Sequence, residues 1–296
     1  MQSLGIYVHV PFCRSKCGYC DFCSVAGADL KLKDKYVKAV IEHMRESASL
    51  SKSYTVDTVY FGGGTPTSIG EKLLIKLLSA IRKSFSVSKS AEITVEANPE
   101  SAGLKTLKRL RKAGFNRISI GVQSSNDAEL KALGRIHTYA DAETAVKNAR
   151  AAGFDNLSLD LMYGLPGQTQ EVFLASAAKI MALSPEHISC YALKLEPGTP
   201  MCLAAPPLPS DDAVADMYLD VTKHLESAGY EHYEISNYAK PSRRSRHNQK
   251  YWDLSEYLGF GPSSHSFFGG RRFSYTKDIE AYVNGFLSDG TVLDED

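Results

Sequence analysis

Neither sign of charge is in excess: 34 Lys and Arg stand against 34 Asp and Glu, so the formal net charge is zero. A global basic field that would draw nucleic acid or anionic lipid is therefore missing, and no nucleic-acid partner is expected. No apolar run approaches the roughly 18–20 residues that a membrane span needs. The opening segment, MQSLGIYVHVPFC, lacks the basic stretch and long apolar run of a secretory signal. Low-complexity segments and flexible linkers are absent, and tryptophan occurs once. With 43% hydrophobic and 10% aromatic residues among 296, the composition excludes collagen-like, disordered and coiled-coil classes. The expectation is a globular cytoplasmic protein whose thiols stay reduced.

Six cysteines are present, and four of them, Cys13, Cys17, Cys20 and Cys23, fall within eleven residues. In a reducing compartment such crowding points to a metal or cluster site and not to a disulfide framework. Cys13-x3-Cys17-x2-Cys20 puts three thiolates on one short loop, and three thiolates on a four-iron cubane leave one iron open to a further ligand. A structural zinc site closed by Cys23 as the fourth ligand is the alternative. Zinc sites usually draw pairs of ligands from two places, and a second CxxC is missing. Cys23, Cys190 and Cys202 are not expected to hold the cluster.

Three phrases, KRLRKAGF, NARAAGF and LESAGY, each join an amphipathic stretch to Ala-Gly-aromatic and then to a β-rich run: ISIGV, LSLDL or YEIS. Each reads as a helix stopped by Gly114, Gly153 or Gly229, followed by a buried strand. Their recurrence at 39 and then 76 residues, nearly one and two periods, argues for a parallel α/β barrel. Strands are expected near 4–10, 57–61, 92–96, 117–122, 156–162 and 187–194. Helices are expected near 31–48, 71–84, 101–113, 138–152, 170–182 and 211–228. Six βα units predict a partial (β/α)6 barrel over residues 1–230, with residues 231–296 as an extension that closes it. In such barrels chemistry sits at the C-terminal strand ends. Those ends hold the cysteine loop, Gly62-Gly63-Gly64-Thr65-Pro66, Glu96, Gln123, Asp160, and Lys194 with Glu196. The strand interiors are expected to be apolar, and Lys194 and His265 to face one cavity. The glycine run lacks the Gly-Lys-Ser/Thr of a P-loop; three glycines let backbone approach a ligand closely.

Cys-x3-Cys-x-aromatic-Cys after a first strand, in YVHVPFCRSKCGYC, resembles the signature of radical S-adenosylmethionine (SAM) proteins. The resemblance implies a [4Fe–4S] cluster on Cys13, Cys17 and Cys20, with SAM chelating the open iron and split by one electron to a 5′-deoxyadenosyl radical. It further implies SAM contacts from Gly63, Gly64, Thr65, Glu96, Gln123, Arg135 and Asp160, with Tyr7 and Tyr19 packed around cluster and SAM. Arg suits a carboxylate and carboxylates suit ribose hydroxyls, both in bidentate geometry.

Segments along nearly the whole chain (VHVPFC, VYFGGGTPT, EANPE, RISIGVQS, LGRIH, DLMYGLPGQT, LEPGTP, YLGFGPSSHSF) resemble the oxygen-independent coproporphyrinogen III oxidase family. That family includes a decarboxylating oxidase and a heme-chaperone branch. The oxidase carries a further Cys two residues after the third cluster Cys, where this chain has Phe22, and an extension before the cluster. His247-Asn248-Gln249-Lys250-Tyr251-Trp252 matches HNxxYW, a motif associated with heme binding in the chaperone branch. The resemblance thus implies a carrier with cluster, SAM and heme, His247 as the heme contact, no assigned catalytic residue, a heme acceptor protein and a reductant as partners. Arg243, Arg244 and Arg246 suit porphyrin propionates or a solvated basic turn. Relatives continue into a winged-helix-like C-terminal domain, and a sequence ending at Asp296 implies a fragment or a more open site. The competing expectations are the oxidase itself and a zinc-stabilised binding module touching RNA through Arg243–Arg246.

Overall fold

A computed structural model describes residues 2–285 and 293–294. The remainder of the expected 231–296 extension lies outside the described residues. Six βα units occur in sequence: β1 Gln2–Val10, α1 Leu30–Ser47, β2 Tyr54–Gly63, α2 Glu71–Ser84, β3 Val87–Ala97, α3 Leu104–Ala113, β4 Arg117–Gln123, α4 Tyr139–Ala151, β5 Leu157–Tyr163, α5 Gln170–Ala182, β6 His187–Ala192 and α6 Asp211–Ser227. Local chemistry sets these ends. Asp29 and Ser210 cap α1 and α6, Thr138 and Asp141 form a capping box on α4, and α3 stops at Gly114 with φ 109°. Strands β1 to β6 pair in order and in parallel, giving the partial (β/α)6 architecture.

Beyond α6 come β7 Glu231–Glu234, β8 Asn237–Ala239, α7 Arg246–Trp252, β9 Tyr257–Phe260, β10 His265–Phe268, β11 Arg271–Tyr275, α8 Ile279–Asn284 and β12 Leu293–Asp294. The sheet runs β12-β11-β10-β9-β1-β2-β3-β4-β5-β6-β8-β7. Two expectations change here. The YEIS run after Gly229 is not a barrel strand: β7 is half-buried at the sheet edge and antiparallel to β8. A parallel strand unforeseen from sequence, β9, instead flanks β1 on its other side.

The strand interiors also differ from the expectation, and the difference makes the site. Leu4, Ile6, Val8, Val59, Phe61, Ile93, Val95, Ile118, Ile120, Leu157, Leu159 and Ile188 belong to one buried cluster with the helices. The residues between them on the same strands are polar: Thr58, Tyr60, Glu92, Glu96, Arg117, Ser119, Ser158, Asp160, His187 and Ser189. A strand alternates faces at every residue, so apolar side chains meet the helices while the lumen is mostly polar, with Met162 among the exceptions. Among the described residues, no helix is long and apolar enough to cross a membrane.

Candidate functional site

Past β1 the chain turns at Pro11, and Phe12–Cys13 pairs with Val25–Ala26, clamping the base of the cysteine loop. Cys13, Cys17 and Cys20 line one cavity of about 510 Å³ inside the barrel. Cys13 Sγ accepts from Thr65 Oγ1 at 3.6 Å, and Cys17 Sγ from Arg135 Nη1 at 3.6 Å. Burial pushes the Cys20 thiol up. Cys23 leaves this group: it lines a neighbouring cavity and its thiol donates to the Lys277 carbonyl at 3.3 Å. Among the described residues no three His, Cys, Asp or Glu side chains converge on a point where one metal ion would sit. Cys23 thus stands apart from the other three thiols.

The glycine loop is stitched to the cysteine loop by backbone bonds, Gly64 N–H to Val10 O at 2.9 Å and Thr65 N–H to Phe12 O at 2.8 Å. A Cβ on Gly64 would stand 2.8 Å from Phe12 O and 3.0 Å from Cys13 Sγ, so only glycine lets the two loops touch. Arg135 Nη2 donates to Asn98 Oδ1 (2.8 Å) and to Gly121 O (2.7 Å), and Asn98 Nδ2 donates to Thr65 Oγ1 at 3.1 Å. Gln123 holds φ 71°, an unusual backbone for a non-glycine residue, and its Oε1 accepts from the Tyr191 hydroxyl at 2.9 Å. Strain of this kind, about 1–3 kcal/mol, concentrates at functional sites.

Tyr60 donates its hydroxyl to Glu96 Oε1 at 2.7 Å, and Ser119 donates to Asp160 Oδ1 at 3.1 Å. Burial raises Glu96 to about 7, with the nearby Asp160 charge adding to it and Tyr60, Gly63 N–H and Arg117 opposing. Burial likewise raises Asp160 to about 6, against Ser119 and Arg117. Two carboxyls poised near neutrality can switch between accepting and donating hydrogen bonds. Arg117, wholly buried on the same cavity, has Nε and Nη1 without a hydrogen-bond partner. Three thiols on one wall, a cradle without Cβ and an orphaned guanidinium suit a thiolate-held cluster beside a polar ligand that carries hydroxyls and a carboxylate.

The structure thus brings Cys13, Cys17, Cys20, Tyr19, Gly63, Gly64, Thr65, Glu96, Gln123, Arg135 and Asp160 to one cavity. Asp160 is not at a strand end but at the middle of β5, where the alternation aims it into the lumen. Tyr7 lines the neighbouring cavity instead, its hydroxyl 3.2 Å from His9 Nδ1. Lys194 and His265 do not share a cavity: Lys194 is exposed at the first and paired with Glu196 at 2.7 Å, while His265 lines the second. Tyr60, Asn98, Arg117, Ser119 and Tyr191 were missed, although the strand alternation marks four of them.

His247 lines neither cavity. Helix α7 inserts it against β1, β2 and β3, fully buried, with Nδ1 2.8 Å from Thr58 Oγ1 and Nε2 3.0 Å from the Tyr251 hydroxyl. Its ring stacks on Tyr60 and Tyr7 at 5.3 and 6.3 Å. Burial, then the Lys250 and Arg117 charges, lowers it to about 3, so the imidazole is neutral and both nitrogens are engaged. The expected heme contact through this ring meets an imidazole with no lone pair to offer in this conformation. Two of the three neighbouring arginines, Arg244 and Arg246, are likewise in use. Arg244 pairs with Glu231 at 3.1 Å over the Tyr233 ring, and Arg246 reaches Asp57 at 3.6 Å and Ser90 O at 3.0 Å.

The model of the Radical SAM superfamily matches residues 7–180. The heme chaperone HemW of Escherichia coli (strain K12) is 39% identical over 290 residues, spanning 97% of this chain and 76% of that protein. HemW of Bacillus subtilis (strain 168) is 38% identical over 283 residues, 94% of this chain and 74% of that protein. Among solved structures, the E. coli coproporphyrinogen III oxidase HemN, a radical SAM enzyme, superimposes with a TM-score of 0.88 at 26% identity. The match covers 99% of this chain and 71% of that one.

Proposed function

Because the chain belongs to the radical SAM superfamily and, within it, to the HemW family of heme chaperones, we propose that it binds heme and hands it to an acceptor protein. Cys13, Cys17 and Cys20 hold a [4Fe–4S] cluster whose fourth iron stays open. Gly64 and Thr65 let SAM approach the cysteine loop, and Gly63 presents its N–H to the Glu96 carboxyl. Glu96 and Asp160 bind the ribose hydroxyls, Arg135 the methionine carboxylate, and Gln123 and Tyr19 close the sides. Once bound, the cluster supplies the electron that SAM chemistry requires. An external reductant must provide that electron, which fits a cytoplasmic location.

The convergence of three thiols, a Cβ-free loop and two raised carboxyls on one cavity supports this reading. Its test is anaerobic reconstitution followed by SAM and heme titrations. Expected are about four irons per chain, a cluster spectrum that changes with SAM, loss of both in Cys20→Ser, and saturable heme binding. One zinc and no iron would overturn the cluster, and a spectrum indifferent to SAM its SAM site. Absence of saturable heme binding would overturn the carrier.

Oxidative decarboxylation of coproporphyrinogen III is the second reading, supported by the close superposition on HemN. Phe22, where the oxidase has its further Cys, speaks against it. An anaerobic assay that yields protoporphyrinogen would reverse the order of the two.

A further inference from the structure

The cavity beside the cluster site measures about 740 Å³, within the range of pockets that enclose drug-sized ligands. It meets the first cavity across the cysteine loop, since Lys16, Asp21 and Phe22 line both. Its walls are aromatic: Tyr251 from α7, Tyr257 from β9 and Phe267 from β10. Exposed cations ring it. Lys16, Arg272 and Lys277 reach it from three segments, against one carboxylate, Asp21, while Lys250 is consumed by its ion pair with Asp57 at 2.9 Å. Flat apolar walls under a cationic rim complement a large planar ligand with carboxylates on one edge.

We infer that the heme cargo occupies this second cavity, its macrocycle against Tyr251, Tyr257 and Phe267 and its propionates on Lys16, Arg272 and Lys277. The inference rests on the heme-carrier reading. It gives His247 a different part: a positioning residue that acts through Tyr251. The buried imidazole, fixed by Thr58, fixes the Tyr251 hydroxyl at 3.0 Å and so sets one wall of the cavity. The motif that carries both residues then serves heme without its histidine touching the iron.

The test is a hemin titration of the cluster-loaded chain, read in the Soret band. Arg272→Glu with Lys277→Glu should weaken binding about tenfold or more, since each reversal replaces an attraction with a repulsion. Arg271→Glu, exposed and one residue along β11 on the face away from the cavity, makes the same charge change and should bind as wild type does. Tyr251→Phe and His247→Ala should both lower affinity while leaving the Soret maximum of bound heme in place; if His247→Ala fails to fold, Tyr251→Phe carries the test alone. Saturable wild-type binding that the double reversal leaves intact would overturn the inference and leave the carrier reading standing. A Soret shift specific to His247→Ala would return the iron to that imidazole. No saturable binding in the wild type would remove the carrier reading itself.

Discussion

Replacing Glu96 with Gln separates what the site costs the fold from what it gives to ligand binding. Gln keeps an oxygen for the Tyr60 hydroxyl and removes the charge. The Glu96 carboxyl is held near 7 against an ordinary 4.5. Because its folded pKa is raised, its contribution to stability is greatest below about pH 4.5 and is lost as pH rises through about 7. At about 1.4 kcal/mol per pKa unit, the rise from 4.5 to about 7 means the ionised group costs at most about 3.5 kcal/mol. Water in the cavity and sharing of the burial penalty with Asp160 reduce this to about 1–2 kcal/mol. Denaturant unfolding of the SAM-free chain should therefore find Glu96→Gln more stable than wild type near pH 8 and equal to it near pH 4.5. SAM affinity should fall in the same variant, because a neutral amide binds a ribose diol less strongly than a carboxylate does. Equal stability of the two chains at both pH values would refute the claim that burial governs this group.

Acid should act with the opposite sign. His43 and His247 are lowered to about 3 and His137 to about 4, and His9 and His187 also lie below their usual range, all chiefly through burial. Stability they lend is present above about pH 6.5 and lost as pH falls toward about 3. Circular dichroism should show unfolding with uptake of several protons in that window; a transition confined below about pH 3 would contradict it. Gly64→Ala pushes a methyl against Phe12 O and Cys13 Sγ and should lower iron content while the far-ultraviolet spectrum stays unchanged. Full iron loading would refute the close-approach argument. Gly114→Ala places a Cβ at φ 109° and into the Arg82 guanidinium; a loss of about 1–2 kcal/mol is expected, and an unchanged melting temperature would argue against it.

Local signals made much of this legible. The Ala-Gly-aromatic phrases give the stops of α3, α4 and α6, because a chain leaving a helix through left-handed backbone needs glycine. The cysteine spacing marks a cluster loop, and the family motifs gather most of the site residues. Asp160, Tyr7 and His247 were harder, because a strand-end rule counts position along the chain while orientation depends on which face closes inward. By itself the sequence determined the six βα units in their order and the thiolate loop, which follow from interactions within a few residues; strand lengths did not follow, since β2 and β3 run over Tyr54–Gly63 and Val87–Ala97 where 57–61 and 92–96 were expected. Pairing of the strands into one sheet, together with docking of α7 and β9 beside β1, decided the rest. Those contacts join residues far apart in the chain. They turned the polar face of every strand into a lumen and placed His247 inside it, and they opened a second cavity that local pattern did not foretell.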